Sequence, residues 1–491
     1  MKNKTILSIL LVTTVFIFVG CDDFLDEAPE TFQTPQNFFE TEAQINEAIA
    51  GIYNTNRGLM SVGGEHWRFG ENRSDNSSFQ FNPADRGGIN NEEIDLFLML
   101  SANPNLGDYW NANYSGISRA NFALENIDGV SFNNEALKEV RRGEILFLRS
   151  WFYFNLVQLF GDVPFVTSAG DTPDEILSDE FLVRAPADQV YTNILADTQE
   201  AINLLPNTGD TESGRATLGA ALMLKAKMHM ALQEFQAAQA LLEQMQSLGY
   251  SLQADYASIF APDNKNNSEM VFEIQYSFAL GQGSDFITNF VPFNSNNDIL
   301  GDNGPAGSRG GQNQPTQSLI DLYDADDARF LHNISFYDDG TSVEPWMSKF
   351  NFGFEAVGPN TQDVNFPMFR YADALLMLAE CYEETGGGDP IPLLVQVRSR
   401  SMPDPSLSVE ETSDLEQTIA DERRRELAFE NHRWFDLLRT GKAVEVMTAH
   451  GAEQKAQKPT VPAEAYTNIR TVLGIPFGQV EEFGFTQNEG W

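Results

Sequence analysis

The stretch Ile419-Ala-Asp-Glu-Arg-Arg-Arg-Glu-Leu-Ala-Phe-Glu-Asn-His-Arg-Trp-Phe-Asp-Leu-Leu-Arg-Thr-Gly441 decides how this chain is read. It parses as two short helices broken near Asn431-His432. Leu427, Phe429, Trp434, Leu437 and Leu438 supply an apolar face. Glu422, Arg423, Glu426, Glu430, Arg433, Asp436 and Arg439 flank it with alternating sign. Residues three or four apart share a helix face, so Glu422 and Arg425 support each other, whereas Glu426 and Glu430 repel. That like-charged pair needs arginine partners from elsewhere in the chain. Charges this dense beside bulky aromatics predict a partly buried ion-pair network, costly to break. Its expected role is structural rather than catalytic, because structural networks also perturb pKa values.

The composition narrows the function classes. Over 491 residues there are 71 Asp+Glu against 31 Lys+Arg, a formal net charge of −40. Nucleic-acid binding needs a basic patch, so it is disfavoured, as is peripheral binding to anionic lipid. A large net charge keeps a protein soluble and is exploited by halophiles, which points to a saline habitat. The two cysteines, Cys21 and Cys381, form no disulfide framework and no metal-binding spacing with the five histidines. Cys381 falls in an apolar helical run and is expected to be an inert core thiol.

Residues 1–20 read as a targeting segment. Lys2 and Lys4 form a basic start, and Ile6 to Val19 is an apolar run of signal-peptide length. The run ends Phe18-Val19-Gly20-Cys21, which resembles a bacterial lipobox in which Cys21 becomes the lipidated N-terminus, although Phe18 stands where leucine is usual. Anchoring would then come from acyl chains and not from a transmembrane helix. A first helix is predicted over residues 35–54, with Thr34 as N-cap and Pro35 at the first helical position. Further helices are predicted over 110–127, 136–160 and 188–205. The helix ending Phe160 is apolar nearly all round, hence buried, and is closed by Gly161 and Pro164. Two αα-hairpins, 215–248 and 371–400, place Leu222, Ala226, His229, Ala238 and Leu242, then Leu375, Ala379 and Tyr382, where tetratricopeptide repeats pack.

Residues 56–108 and 250–366 differ in character. They are rich in Gly, Asn, Ser and Asp with interleaved aromatics, and short strand-like runs such as Met270 to Gln275 occur. Long structured loops of this kind are usually functional.

Several stretches resemble the SusD/RagB family of surface glycan-binding lipoproteins: "ERRRELAFENHRWFDLLRTGKA", "TPQNFFETEAQINEAIAGIYN", "EILFLRSWFYFNLVQLFGDVPFV", "PTQSLIDLYDADDARF", "FRYADALLMLAECYEETG" and the tail "GIPFGQVEEFGFTQNEGW". They occur in the family's order between Cys21 and Trp491. The resemblance implies a mainly α fold: a tetratricopeptide-like superhelix, chiefly 136–249 and 368–448, with a loop-rich insertion containing short strands. It implies one SusD-like domain over 21–491, in which 56–108 and 250–366 come together as the ligand side. The acidic start Asp22 to Glu27 is similar to signals that send such lipoproteins to the cell surface.

No catalytic motif is present: no His-Glu-x-x-His, no Gly-x-Ser-x-Gly, no phosphate-binding loop and no dinucleotide fingerprint. Asp324-Ala-Asp-Asp327 lacks the glycine and distal glutamate of a calcium loop, so Asp326, Asp327 and Arg329 are expected to cap or pair within a helical turn. No metal and no cofactor is expected. Sugars present C–H faces to aromatic rings and hydroxyls to amides, carboxylates and guanidinium groups. On that chemistry Trp67 and Trp346 are the stacking candidates, and Asp75, Asn76 and Arg86 the hydroxyl-binding candidates. Each tryptophan has core packing as its competing role, and Asp75 has a turn or cap. Only Asp75, within "GENRSDNSS", also matches a family segment. The resemblance implies a non-enzymatic lipoprotein that delivers oligosaccharides to a SusC-like TonB-dependent transporter. The alternatives are the same fold binding peptides or another nutrient, and a surface glycoside hydrolase, which needs two carboxylates across a cleft.

Overall fold

A computed structural model of the protein describes residues 39–61, 63–80, 88–170, 173–209, 211–286, 288–293, 295–300, 310–353 and 362–491. Cys21, the targeting segment, Thr34, Pro35 and Arg86 lie outside the described residues. Helix α1 spans Glu42–Met60 and not 35–54. The Thr41 side chain accepts from Gln44 N–H while Gln44 reaches back to the Thr41 N–H. This reciprocal box satisfies two orphan donors at once and so sets the start.

The main helices then follow as α2 (Pro104–Ile127), α3 (Glu135–Phe160), α4 (Ala187–Leu204), α5 (Leu218–Ala231), α6 (Phe235–Met245), α7 (Tyr371–Thr385) and α8 (Ile391–Arg398). Each packs on the next in chain order, including α6 on α7 across the long insertion. This is the tetratricopeptide-like stack expected from the two hairpins. Helix α3 is its axis: the run from Gly143 to Val157 is buried on every face. At the α2–α3 crossing a Cβ on Gly116 would lie 2.3 Å from the Phe152 ring, so only glycine permits that approach. In the second hairpin Gly386 terminates α7 in the left-handed region (φ 66°), as glycine does at helix ends. Of the predicted packing residues, Leu222, Ala226, Ala238, Leu242, Leu375 and Ala379 are buried, whereas His229 and Tyr382 are only half-buried. Cys381 is fully buried, and burial pushes its thiol up to about 12.

Strands are few and short among the described residues. They are β1 (Ser77–Ser78), β2 (Met270–Ile274), β3 (Gln314–Pro315), β4 (Ile334–Asp338), β5 (Val343–Met347) and β6 (Phe366–Arg370). They pair antiparallel as β1–β3, β2–β6 and β4–β5. The β2–β6 pair stitches the two ends of the insertion together immediately before α7. No helix among the described residues is long and apolar enough to cross a membrane.

Candidate functional site

The stretch Ile419–Gly441 folds into α9 (Leu415–Leu427) and α10 (Arg433–Arg439), joined by an irregular link in which Phe429 and Asn431 have positive φ. The break therefore falls where it is expected. Its donors are satisfied from far away in sequence. Glu71, on the π-helical turn Arg68–Asn72, accepts from Phe429 N–H (2.7 Å) and Asn431 N–H (3.1 Å), and from Asn76 Nδ2 (3.0 Å). A Cβ at Gly70 would sit 2.5 Å from the Asn431 carbonyl oxygen, so the two segments touch backbone to backbone. Burial pushes the Glu71 carboxyl up to about 7, against those hydrogen bonds.

One face of α9 and its link carries Glu422, Glu426 and Glu430, and all three are buried. Glu426 meets Arg400 (2.6 Å), Arg370 (3.0 Å) and Arg329 (3.3 Å). Glu430 meets Lys349 (2.5 Å) and Arg370 (2.6 Å), and Glu422 meets Arg329 (2.5 Å) and Arg398 (2.7 Å). Arg370, at the end of β6, thus bridges the repelling pair Glu426 and Glu430. Burial alone would raise the Glu426 carboxyl, but Arg400, Arg370 and Arg329 together hold it at about 2. Lys349 is lowered to about 8 by burial, against the pull of Glu430. Asp327 caps the short helix Ala328–Asn333 through Arg329 N–H (2.8 Å) and pairs with the Arg329 guanidinium, as its sequence context predicts. No cluster of His, Cys, Asp and Glu among the described residues is suited to a metal ion.

This network anchors the loop-rich part to the helical stack. It also lies beside the junction of the two loop segments. Strand β1 pairs with β3, with Ser77 opposite Pro315 and Ser78 opposite Gln314. Gln80 N–H donates to Gly311 O (2.6 Å) and Thr316 Oγ1 to Asp75 O (2.6 Å). Residues 63–80 and 310–318, remote in sequence, therefore form one packed and largely buried unit.

The sequence-derived candidates within the described residues are all buried. Asp75 is clamped by Arg433 (2.7 Å) and Arg424 (3.1 Å), which hold its carboxyl well below the usual range despite burial. Asn76 accepts from Arg424 Nε (2.7 Å) and donates to Glu71. Trp67 is 3 % exposed, edge-on to Phe290 (4.9 Å), with the Arg68 guanidinium 4.6 Å from its ring centre. Trp346 is 5 % exposed, in β5 opposite Ser335. None of the four offers a free ring face or an open polar edge in this structure. As placed, all four are buried among partners within the protein. Packing wins for both rings because burying a large aromatic side chain is strongly favourable.

The exposed aromatic surface of the loop-rich part lies in the β4–β5 hairpin. The β4–β5 hairpin rises from the body, and Phe336 is 51 % exposed. Half-buried Phe330 lies 6.4 Å from it, and the Tyr337 hydroxyl donates to Asp298 (2.7 Å). The alternation of Ile334, Phe336 and Asp338 along a short run ending at Gly340 could have marked Phe336 as a hairpin residue. These groups provide aromatic surface with hydroxyl and carboxylate neighbours.

Comparisons with known proteins agree along the chain. Residues 23–230 match the SusD-like profile described as "starch-binding associating with outer membrane", and residues 332–491 match the SusD family profile. SusD-like protein P25 of Formosa agariphila is 27% identical over 488 residues, covering 89% of this chain and 90% of that protein. A solved laminarin-binding SusD-like protein superposes with a TM-score of 0.75 at 26% identity, over 92% of this chain and 100% of that one. Surface glycan-binding protein A from Bacteroides thetaiotaomicron, solved with laminarihexaose, shares the fold at a TM-score of 0.69 and 21% identity, over 91% and 99% of the two chains. With its signature stretch folded as the hub of a tetratricopeptide-like stack and its two halves matched by the family's own profiles, the chain belongs to the SusD/RagB family.

Proposed function

We propose that this protein captures glycans at the outer surface of the cell and passes them, chemically unchanged, to a SusC-like TonB-dependent transporter in the outer membrane. Cys21 carries the lipid that holds it there. The observation that carries the reading is the full-length likeness to a laminarin-binding protein of the same family. The loop-rich face supplies the contact surface: Phe336 and Phe330 offer rings to sugar C–H faces, and Tyr337 and Asp298 offer groups for hydroxyls. Asp75, Asn76, Trp67 and Trp346 hold that face in place, and Arg86 belongs to the same segment. The absence of a catalytic motif in the sequence supports binding without turnover.

Calorimetric titration of the form lacking residues 1–21 tests this, using laminarin fragments, other neutral and acidic oligosaccharides and a peptide mixture at marine salt. Binding to one glycan class, with the ligand recovered intact and affinity falling at least tenfold in Phe336→Ala, supports the proposal. Recovery of cleaved glycan sinks it in favour of a hydrolase. Binding of peptides alone replaces the ligand class.

A further inference from the structure

A cleft of about 320 Å³ opens on another part of the molecule, between α2, the segment following α3, and the C-terminal helix α11 (Phe477–Phe483). No residue of the loop-rich segments 63–80 or 310–353 lines it. Its walls are aromatic. Trp110 and Tyr114 lie 5.0 Å apart on α2, and Phe483 and Phe485 stack at 5.6 Å with planes 19° apart. Phe181 closes one side. The walls are also fixed. Tyr114 donates to Pro164 O (2.7 Å), and buried Asn121 donates to Val166 O (2.9 Å) and Ser168 O (3.1 Å).

Polar groups converge on this apolar lining. Asn111, Gln479 and Glu482 sit at the mouth. The Ser168 hydroxyl is shielded from solvent and has no hydrogen-bond partner among the described residues. No lysine, arginine or histidine lines the cleft, and one carboxylate does. That charge pattern selects against sulfated or uronic sugars. The volume lies at the low end of the ~300–1,000 Å³ of small-molecule sites, which fits a short ligand and not a polymer segment.

We infer that this cleft is a second, independent carbohydrate site that takes one or two neutral sugar residues, such as the end of a glycan chain. The ligand class rests on the glycan-binding reading, while the residues are entirely separate from the loop-rich face. The Tyr114 and Phe483 rings cover the sugar faces, the Asn111 and Gln479 amides bind its hydroxyls, and Glu482 accepts from an outward hydroxyl.

Saturation-transfer NMR on the form lacking residues 1–21 tests the site with glucose, galactose, mannose, xylose, maltose and laminaribiose at millimolar concentration. The expected result is a saturable signal for at least one sugar, weakened at least tenfold in Phe483→Ala and in Gln479→Ala and unchanged in Phe336→Ala. Gln479 is on the rim, so its variant carries the test if Phe483→Ala melts early. Silence from all six sugars overturns the inference, as does a signal unaffected by both cleft variants. A signal lost only in Phe336→Ala also overturns it, while leaving the loop-face reading intact. Failure of that reading is seen separately, as the absence of oligosaccharide binding in calorimetry.

Discussion

Glu426→Gln is the most informative single perturbation of the hub. The substitution keeps the shape of the side chain and removes its charge. It leaves Arg329, Arg370 and Arg400 facing a neutral amide in a site that excludes water. The carboxyl titrates near 2 in the folded protein against an ordinary value near 4.5. That gap, at about 1.4 kcal/mol per pH unit, corresponds to about 3 kcal/mol of preference for the charged form. Breaking one member of a buried ion pair costs about 3–5 kcal/mol, so the two routes agree. The folded value is depressed, so the contribution is fully present above about pH 4.5 and is lost as pH falls through about 2. Urea unfolding, followed by both tryptophan emission and far-ultraviolet dichroism, measures the effect wherever the two transitions coincide. At pH 7 the variant should lose about 3 kcal/mol with an unchanged denaturant slope, and its deficit should shrink below pH 4. A loss under about 1 kcal/mol, or a deficit independent of acid, would refute the reasoning that the arginines draw their net stabilisation from this carboxylate.

Gly70→Ala forces a methyl group to 2.5 Å from Asn431 O, so overpacking should cost about 1–3 kcal/mol and lower the melting temperature. Trp67→Ala should act first on stability, by about 3–5 kcal/mol, because it empties a packed site. A Trp67→Ala variant that melts like the parent yet fails to bind glycan would return this ring to the ligand surface. Glu71 has a folded value near 7, above its ordinary one, so its contribution is complete below about pH 4.5 and is lost as pH rises through 7. Urea midpoints between pH 5 and 8 should therefore fall less steeply in Glu71→Gln than in the parent, and parallel profiles would exclude Glu71 as the titrating group.

Much of the helical half is legible from the chain alone. The nearly all-round apolarity of 151–157, the small residues Ala226, Ala238 and Ala379, and the Gly386 stop each act locally or at one helix interface, and helical periodicity exposes them. The position of the break at Asn431-His432 was readable too, and so was the need of Glu426 and Glu430 for arginines. Which arginines answer was not readable. Arg329, Arg370 and Arg400 come from the insertion and from the second hairpin, and charge alone does not rank one buried guanidinium above another. The start of α1 at Glu42 follows from a local signal that was overlooked, the Thr41–Gln44 capping box, whereas Thr34 and Pro35 lie outside the described residues.

The loop-rich part divides differently. Composition marked 56–108 and 250–366 as loop-rich and aromatic, and so located a face. It left open which aromatics reach the surface, because a tryptophan in a loop has the same local sequence whether it packs down or points out. That choice depends on the β1–β3 pairing, on Phe290 arriving against Trp67, and on the β4–β5 hairpin lifting Phe336 clear of the body. The cleft between α2 and α11 is wholly tertiary: its walls are joined by no periodicity or motif, only by the packing that brings both helices to one cleft. Sequence by itself therefore determined the family, the helical stack and the charged hub, since periodicity and like-charge repulsion are local physics. The buried or exposed fate of each aromatic, and the cleft, were decided by contacts between segments hundreds of residues apart, which only the assembled chain brings together.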